Sequence, residues 1–439
     1  MKPIVSLPIK RPFNGIVCAL ALIMSISLAH AYDYPLKNPY FATVVGTPVD
    51  LEYPANGPNY PGVEKLSLFP KRKVPPIFWH GNTHRVGIDT QRNSKAAPLI
   101  FILSGTGSSF EAGKTRFLRD VFYDAGFHII SLSSTTTDEF ITSGSNSSLP
   151  GFVPDDVADI YEIMQRAYAI VEEDKDIKVN DFYLTGFSMG AMHAAFLAEL
   201  DSRHHAFDFS KTMMINPPVR LYDSAQRIDQ LIEDNLPDGI NSVGAFAEKI
   251  FNRYAPIFNQ TGELEIDSEF LFALQQKTPV SEEELKVVIG LAFRLASSSM
   301  VFAADVMTHS GKIVLPTEQL TSGDTLTGYF KQSLYWGFTD YFDRMLLPYL
   351  RQRDNTATLE QLKHQLSLES IGDFLKHSEN ISAVTNVDDF ILNEEELGFL
   401  STTLGDRLTL HPYGGHGGNI SYRENIEQLL RFFDAPITP

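Results

Sequence analysis

The sequence predicts an α/β protein with a doubly wound, mostly parallel sheet and an inserted helical cap domain. Three observations carry that expectation. Short, wholly apolar runs alternate with stretches of helical spacing, as in a sheet buried on both faces. A serine between two glycines stands where one such run gives way to a helix. The strand pattern then disappears between about Leu221 and His377 and returns afterwards, over a length of about 155 residues that is too long and too apolar for a loop.

Composition bounds the function classes. The chain has 439 residues, 43% hydrophobic and 21% charged, which excludes wholesale disorder and a polytopic membrane protein. Its 54 acidic against 36 basic side chains give a formal charge of −18. Nucleic acid is not an expected partner, because holding a phosphate backbone needs clustered Lys and Arg.

Residues 1–31 read as a secretory signal peptide. Lys2, Lys10 and Arg11 form a cationic start, Gly15 to Ala29 is uncharged and mostly apolar, and Ala29-His30-Ala31 offers small residues before a cut after Ala31. The run is short for a membrane span, which needs about 20 residues; an uncleaved anchor is the competing reading. The single cysteine, Cys18, would leave with this segment, so the mature chain would hold no disulfide, no thiolate nucleophile and no Cys-based metal site. The expectation is an exported protein, periplasmic or secreted, with no membrane span in the mature chain.

The elements follow in order. Residues 32–97 are rich in Pro, Tyr and Asn, and Phe41–Val45 and Ile77–Trp79 read as short edge strands or hairpins joining the sheet. The first part of the core is expected at 98–220, with strands at Leu99–Leu103, His128–Leu132, Asp181–Leu184 and Thr212–Ile215. Val157, Ile160, Tyr161, Met164, Tyr168 and Val171 keep helical spacing after Pro154-Asp155-Asp156. The cap, 221–377, offers helices at Phe246–Phe258, Glu282–Met307 and Gly328–Leu350, the second opened by Ser281-Glu282-Glu283-Glu284. The second part of the core, 378–439, supplies strands at Ile381–Thr385 and Arg407–Leu410. It closes with a helix on Tyr422, Ile426, Leu429, Leu430 and Phe433, where Ser421 and Glu424 read as a capping box.

Gly186-Phe187-Ser188-Met189-Gly190 fits G-x-S-x-G. The pattern alone is weak, but here it follows a strand and opens a helix through Ala191, Met192, Ala194, Ala195 and Leu197. At such a turn a serine takes a strained backbone and projects its hydroxyl above the sheet, with the helix N-terminus behind it. The plainer reading is a tight turn with an inert serine. A hydroxyl needs a base, and the order expected for this architecture is Ser, then Asp or Glu, then His. Asn386-Val387-Asp388-Asp389-Phe390 follows one late strand and Pro412-Tyr413-Gly414-Gly415-His416-Gly417-Gly418 the next. His416 is the preferred base, with His411 as fallback and strand end. Asp389 is the preferred acid, with Asp388 as alternative.

On these residues the chain resembles the α/β-hydrolase superfamily over about Pro98–Arg220 and His377–Pro439. The resemblance implies an oxyanion hole from the backbone N–H groups of Met189 and of Thr106, or alternatively Gly105, in Ser104-Gly105-Thr106-Gly107. It departs from the family pattern at Ser104-Gly105, where His-Gly is familiar, and at Asn386, where a glycine is common. The expected activity is that of an esterase- or lipase-type serine hydrolase, acting on a small-molecule or lipid-like ester without a cofactor. A peptidase or acyltransferase would use the same groups, and a catalytically silent envelope-binding protein would keep only the fold.

Other patterns are weaker. Gly107 to Thr115 resembles a P-loop but has one residue too many between its glycines, and Gly105-Thr106-Gly107 lacks the third glycine of a dinucleotide site. His80 and His84 have a metal-ligand spacing only if they share a helix, and Gly81-Asn82 suggests a turn. Tyr329, Phe330, Tyr335, Trp336, Phe338, Tyr341 and Phe342 read as cap packing, with the sharper possibility that some line a tunnel over Ser188 in which Trp336 limits acyl length.

Overall fold

In the strand Ala97–Leu103, Leu99, Phe101 and Leu103 pack into one hydrophobic cluster and Ile100 and Ile102 into another, and all five are buried. That is what period-two alternation does to an all-apolar strand: both faces need a covering layer. The computed structural model describes residues 32–91, 96–174, 177–249 and 279–437, and this strand lies near the middle of its sheet.

Among the described residues the strands are β1 (Val63–Leu66), β2 (His84–Asp89), β3 (Ala97–Leu103), β4 (His128–Leu132), β5 (Val179–Phe187), β6 (Lys211–Ile215), β7 (Ile381–Asn386) and β8 (Leu408–His411). They pair in the order β1-β2-β4-β3-β5-β6-β7-β8. β2 runs antiparallel to both β1 and β4, and every other pairing is parallel. This is the mostly parallel sheet that the sequence predicts, and its parallel part has its carboxyl ends on one edge, where sites collect.

Helix α1 (Pro39–Val45) precedes the sheet. On one face lie α2 (Gly113–Asp124) and the C-terminal helix Arg423–Phe432, through Leu118, Val121, Phe122, Ile426, Leu429 and Leu430. On the other lie α3 (Val153–Ala169) and α4 (Met189–His204). Pro154 stands in the first turn of α3, where its missing N–H has no intrahelical partner to lose.

Between β6 and β7 the described residues are largely helical. They begin with α5 (Leu221–Glu233) and continue through α6 (Glu282–Thr308), whose start is fixed by a reciprocal bond pair between Ser281 and Glu284. Met300, Val301 and Phe302 of α6 share the cluster of α3 and α4, so these helices pack into the same core as the sheet. Gly290 lets α6 approach α5 closely, since a Cβ there would lie 2.8 Å from the Ile232 side chain. By length and composition alone α6 could cross a membrane; 56% of its most apolar 18-residue window is buried here against protein.

Several expectations change. Phe41–Val45 is helix, not strand: Asn38 accepts from the Phe41 N–H and Pro39 occupies the first turn, a strong helix start that outweighs the apolar alternation. Ile77–Trp79 is a turn, with Trp79 exposed beside the Arg85 guanidinium. The N-terminal strands are instead β1 and β2. Gly328–Leu350 is not one helix but three short ones, Thr327–Ser333, Phe338–Tyr341 and Leu347–Arg353, the last two joined by a π turn. The chain breaks at Gly337, where Asp229 presses so closely that a Cβ would lie 2.5 Å from its carboxylate. No capping box forms at Ser421 and Glu424, because the Ser421 hydroxyl donates to Glu52 instead. The signal segment and most of Phe246–Phe258 lie outside the described residues.

Candidate active site

Ser188 sits between the end of β5 and the start of α4 with φ 56° and ψ −123°, a backbone that L-residues rarely adopt. Two bare backbones hold it there. A Cβ at Gly186 would lie 2.3 Å from the Gly190 carbonyl oxygen, and one at Gly190 would lie 2.4 Å from that of Leu103. The Ser188 N–H donates to the Ile215 carbonyl, fixing the turn to β6. The two glycines therefore act by close approach, and the serine itself carries the strain.

The imidazole comes from the loop after β8. His416 Nε2 lies 2.8 Å from Ser188 Oγ. The surrounding glycines seat the loop on α1: a Cβ at Gly415 would meet the Pro39 carbonyl, and one at Gly418 the Ala42 carbonyl, each at 2.1 Å. The His416 N–H donates to Thr43 Oγ1 at 2.8 Å, and the ring packs 5.1 Å from that of Phe187. His411 lies elsewhere, as the last residue of β8, with its pKa pushed down to about 4 by burial.

The carboxylate comes from the loop after β7. Asp389 Oδ2 and Oδ1 lie 3.1 and 3.2 Å from His416 Nδ1. The same buried group accepts from Asn216 Nδ2 at 2.9 Å and from the Ile391 N–H at 3.3 Å. Asp388 instead accepts from the Gly414 and Gly415 N–H groups, and burial raises its pKa. Asn386, at the position where a glycine is common, donates to the Gly415 carbonyl and to Asn419 and so ties the acid loop to the histidine loop.

Beside the serine, Thr106 and Gly105 lie in the loop after β3 and Met189 is the first residue of α4, where an N–H has no intrahelical acceptor. Thr106 Oγ1 lies 3.7 Å from the Met189 sulfur, and a Cβ at Gly105 would lie 3.3 Å from that of Ser188. An imidazole held by a carboxylate can accept a hydroxyl proton, and adjacent N–H groups can hold a developing oxyanion.

A cavity of about 370 Å³ opens over Ser188 and His416. Its far wall is α6, through Ile289, Ala292, Phe293 and Ala296, with Ile228 of α5 alongside. Trp336 is buried away from this cavity and packs against Arg344; of the aromatic cluster only Phe338 reaches a smaller apolar space at Ser188. Trp336 lines neither space, whereas Phe293 lines both. In a protein that turns over esters, Phe293→Ala should move the optimum toward longer acyl chains by two or more carbons, measured on a p-nitrophenyl ester series; an unmoved optimum counts against it.

Sequence reasoning missed Asn216, Thr43, Lys114 and the α6 wall. Asn216 has φ 49° just after β6, and no short motif marks it. His80 lies 3.7 Å from Asp138, while His84 starts β2, so the two share no helix. Among the described residues no group of three or more His, Cys, Asp or Glu could hold a metal ion.

No family model and no curated protein sequence matches the chain. Solved structures resemble it in shape. The thioesterase domain from the curacin biosynthetic pathway has a TM-score of 0.39 at 11% identity, covering 85% of this chain and 100% of that one. Est1E from Butyrivibrio proteoclasticus has 0.38 at 11%, covering 85% and 99%. A thermostable esterase from Pseudomonas putida ECU1011 has 0.39 at 12%, covering 91% and 96%.

Proposed function

We propose that the protein is an exported serine hydrolase that cleaves carboxylic esters through an acyl-enzyme. The observation that carries this reading is the 2.8 Å approach of His416 Nε2 to the hydroxyl of a serine held at positive φ. Ser188 Oγ attacks the ester carbonyl carbon while its proton passes to His416. The carbonyl oxygen becomes an oxyanion received by the N–H groups of Thr106 and Met189, where one donor lowers the barrier by about 3 kcal/mol. His416 then protonates the leaving alkoxide. In the second half a water gives its proton to His416 and its oxygen to the acyl carbon, releasing the acid and restoring Ser188. Asp389 fixes the ring with Nδ1–H toward itself and stabilises the imidazolium.

An ester fits this site better than a peptide, because the cavity is small and its α6 wall is largely apolar. Export follows from the N-terminal segment, and N-terminal sequencing of the secreted or periplasmic protein should begin at Tyr32. The activity itself is tested with a fluorophosphonate probe. Wild type should label and Ser188→Ala should not, with p-nitrophenyl esters hydrolysed and the matching peptide anilides left intact. Equal labelling of both proteins would overturn the assignment of Ser188.

A further inference from the structure

Lys114 is the one Lys or Arg among the described residues that line the cavity over Ser188. It forms no hydrogen bond or ion pair among those residues; its contact is with the Phe187 ring, whose centroid is 4.6 Å from the ammonium. That ring also packs against His416 at 5.1 Å, so the cation stands close to the reacting groups. The acid whose field acts on it is Asp389, which is already engaged by His416 and Asn216. Its side chain is partly covered, and lost hydration pushes its pKa down to about 8. A partly desolvated charge that no carboxylate pairs with directly carries a cost, and a bound anion would relieve it.

A second feature points the same way. Lys114 is in the first turn of α2, whose cap residue Ala112 has no side-chain acceptor and whose first turn has no acid. Gly113, Lys114 and Thr115 all line the cavity, and a Cβ at Gly113 would meet nothing within 4 Å. Free N–H groups, the positive end of a helix of 12 residues and an unpaired ammonium thus face one space. This is the segment that resembles a P-loop in sequence. It does not need a nucleotide to account for its lysine.

We propose that Lys114 and the N-terminus of α2 form an anion subsite, so that the preferred ester carries a carboxylate on its acyl half, away from the carbonyl that Ser188 attacks. The proposal rests on the ester-hydrolase reading for its chemistry but not for its binding. Lys114 is a specificity residue: it holds the distal anion and takes no part in bond making.

The experiment compares p-nitrophenyl butyrate with mono-p-nitrophenyl succinate, which have equal acyl length and differ in charge. Wild type should favour the succinate in kcat/KM by about tenfold or more, the range of a charge-assisted contact, chiefly through KM. Lys114→Met and Lys114→Gln should both bring the ratio near one, and Lys114→Arg should retain most of it. A phosphate-bearing ester of the same length serves as the third arm, and preference for it over the succinate would reject the carboxylate assignment. Binding is read separately in the Ser188→Ala protein by calorimetry with monomethyl succinate. Lys114→Met should weaken it by about tenfold, and added salt should weaken wild-type binding. If wild type hydrolyses both esters alike and the ratio ignores Lys114, the subsite is rejected while the hydrolase stands. If no ester is hydrolysed yet Lys114-dependent binding persists, the subsite stands and the hydrolase reading falls.

Discussion

Replacing His416 with alanine should lower kcat/KM for a p-nitrophenyl ester by about four orders of magnitude, and adding Ser188→Ala should cost little more. The near-equality of single and double variants is the informative part. A hydroxyl is a weak nucleophile until a base takes its proton, and an imidazole is idle here without the hydroxyl, so each removal disables the same step. The residual rate would come from the groups left intact, the N–H donors of Thr106 and Met189 and the walls of the cavity. Steady-state kinetics of the two single variants and the double variant decide the matter. Additive losses, with the double variant far below either single one, would mean that Ser188 and His416 act in separate steps, and the 2.8 Å contact would then not be the catalytic one.

What could be read in the sequence divides along a physical line. Apolar strand runs and helix-opening motifs are local, so β3 to β7 and the start of α6 are visible as apolar runs and as the Ser281–Glu284 capping box, while β8 is a mostly exposed edge strand. The serine turn is equally local, since the steric demands on Gly186 and Gly190 arise within a few residues and from the neighbouring strand β3. Features decided by partners distant in sequence are not visible. Ser421 and Glu424 satisfy the capping pattern, but Glu52, remote in sequence, takes the hydroxyl. Gly337 stands just before the helix Phe338–Tyr341, where Asp229 packs against it. Asn216 and Thr43 hold the acid and the histidine loop from other parts of the fold, and neither sits in a pattern. Lys114 is visible only inside a misleading motif: its place in the cavity depends on how α2 meets the loops after β5 and β8.

The two adjacent acids of the β7 loop should separate sharply. Asp389→Ala should lower kcat by about three to four orders of magnitude with little change in KM, whereas Asp388→Ala should cost less than about tenfold in kcat. Both residues carry the same charge and both approach the His416 loop, so only geometry distinguishes them. Asp389 meets the ring nitrogen and is itself fixed by Asn216 and the Ile391 N–H. Its loss frees the imidazole to take the wrong tautomer and leaves the imidazolium without a counter-charge. Asn216 does not rescue that variant, because its side chain is a neutral amide whose N–H donates to the carboxylate that has been removed. Asp388 accepts from the backbone N–H groups of Gly414 and Gly415. Removing it should loosen the loop and destabilise the fold by about 1–3 kcal/mol, the cost of leaving covered donors unmatched, which a denaturant midpoint would register. The expected pattern is therefore crossed: a large kinetic loss at one position, and a loss mainly of stability at its neighbour. The reverse pattern, with Asp388→Ala the catalytic lesion, would require the β7 loop to turn in the working enzyme so that Asp388 replaces Asp389 at Nδ1.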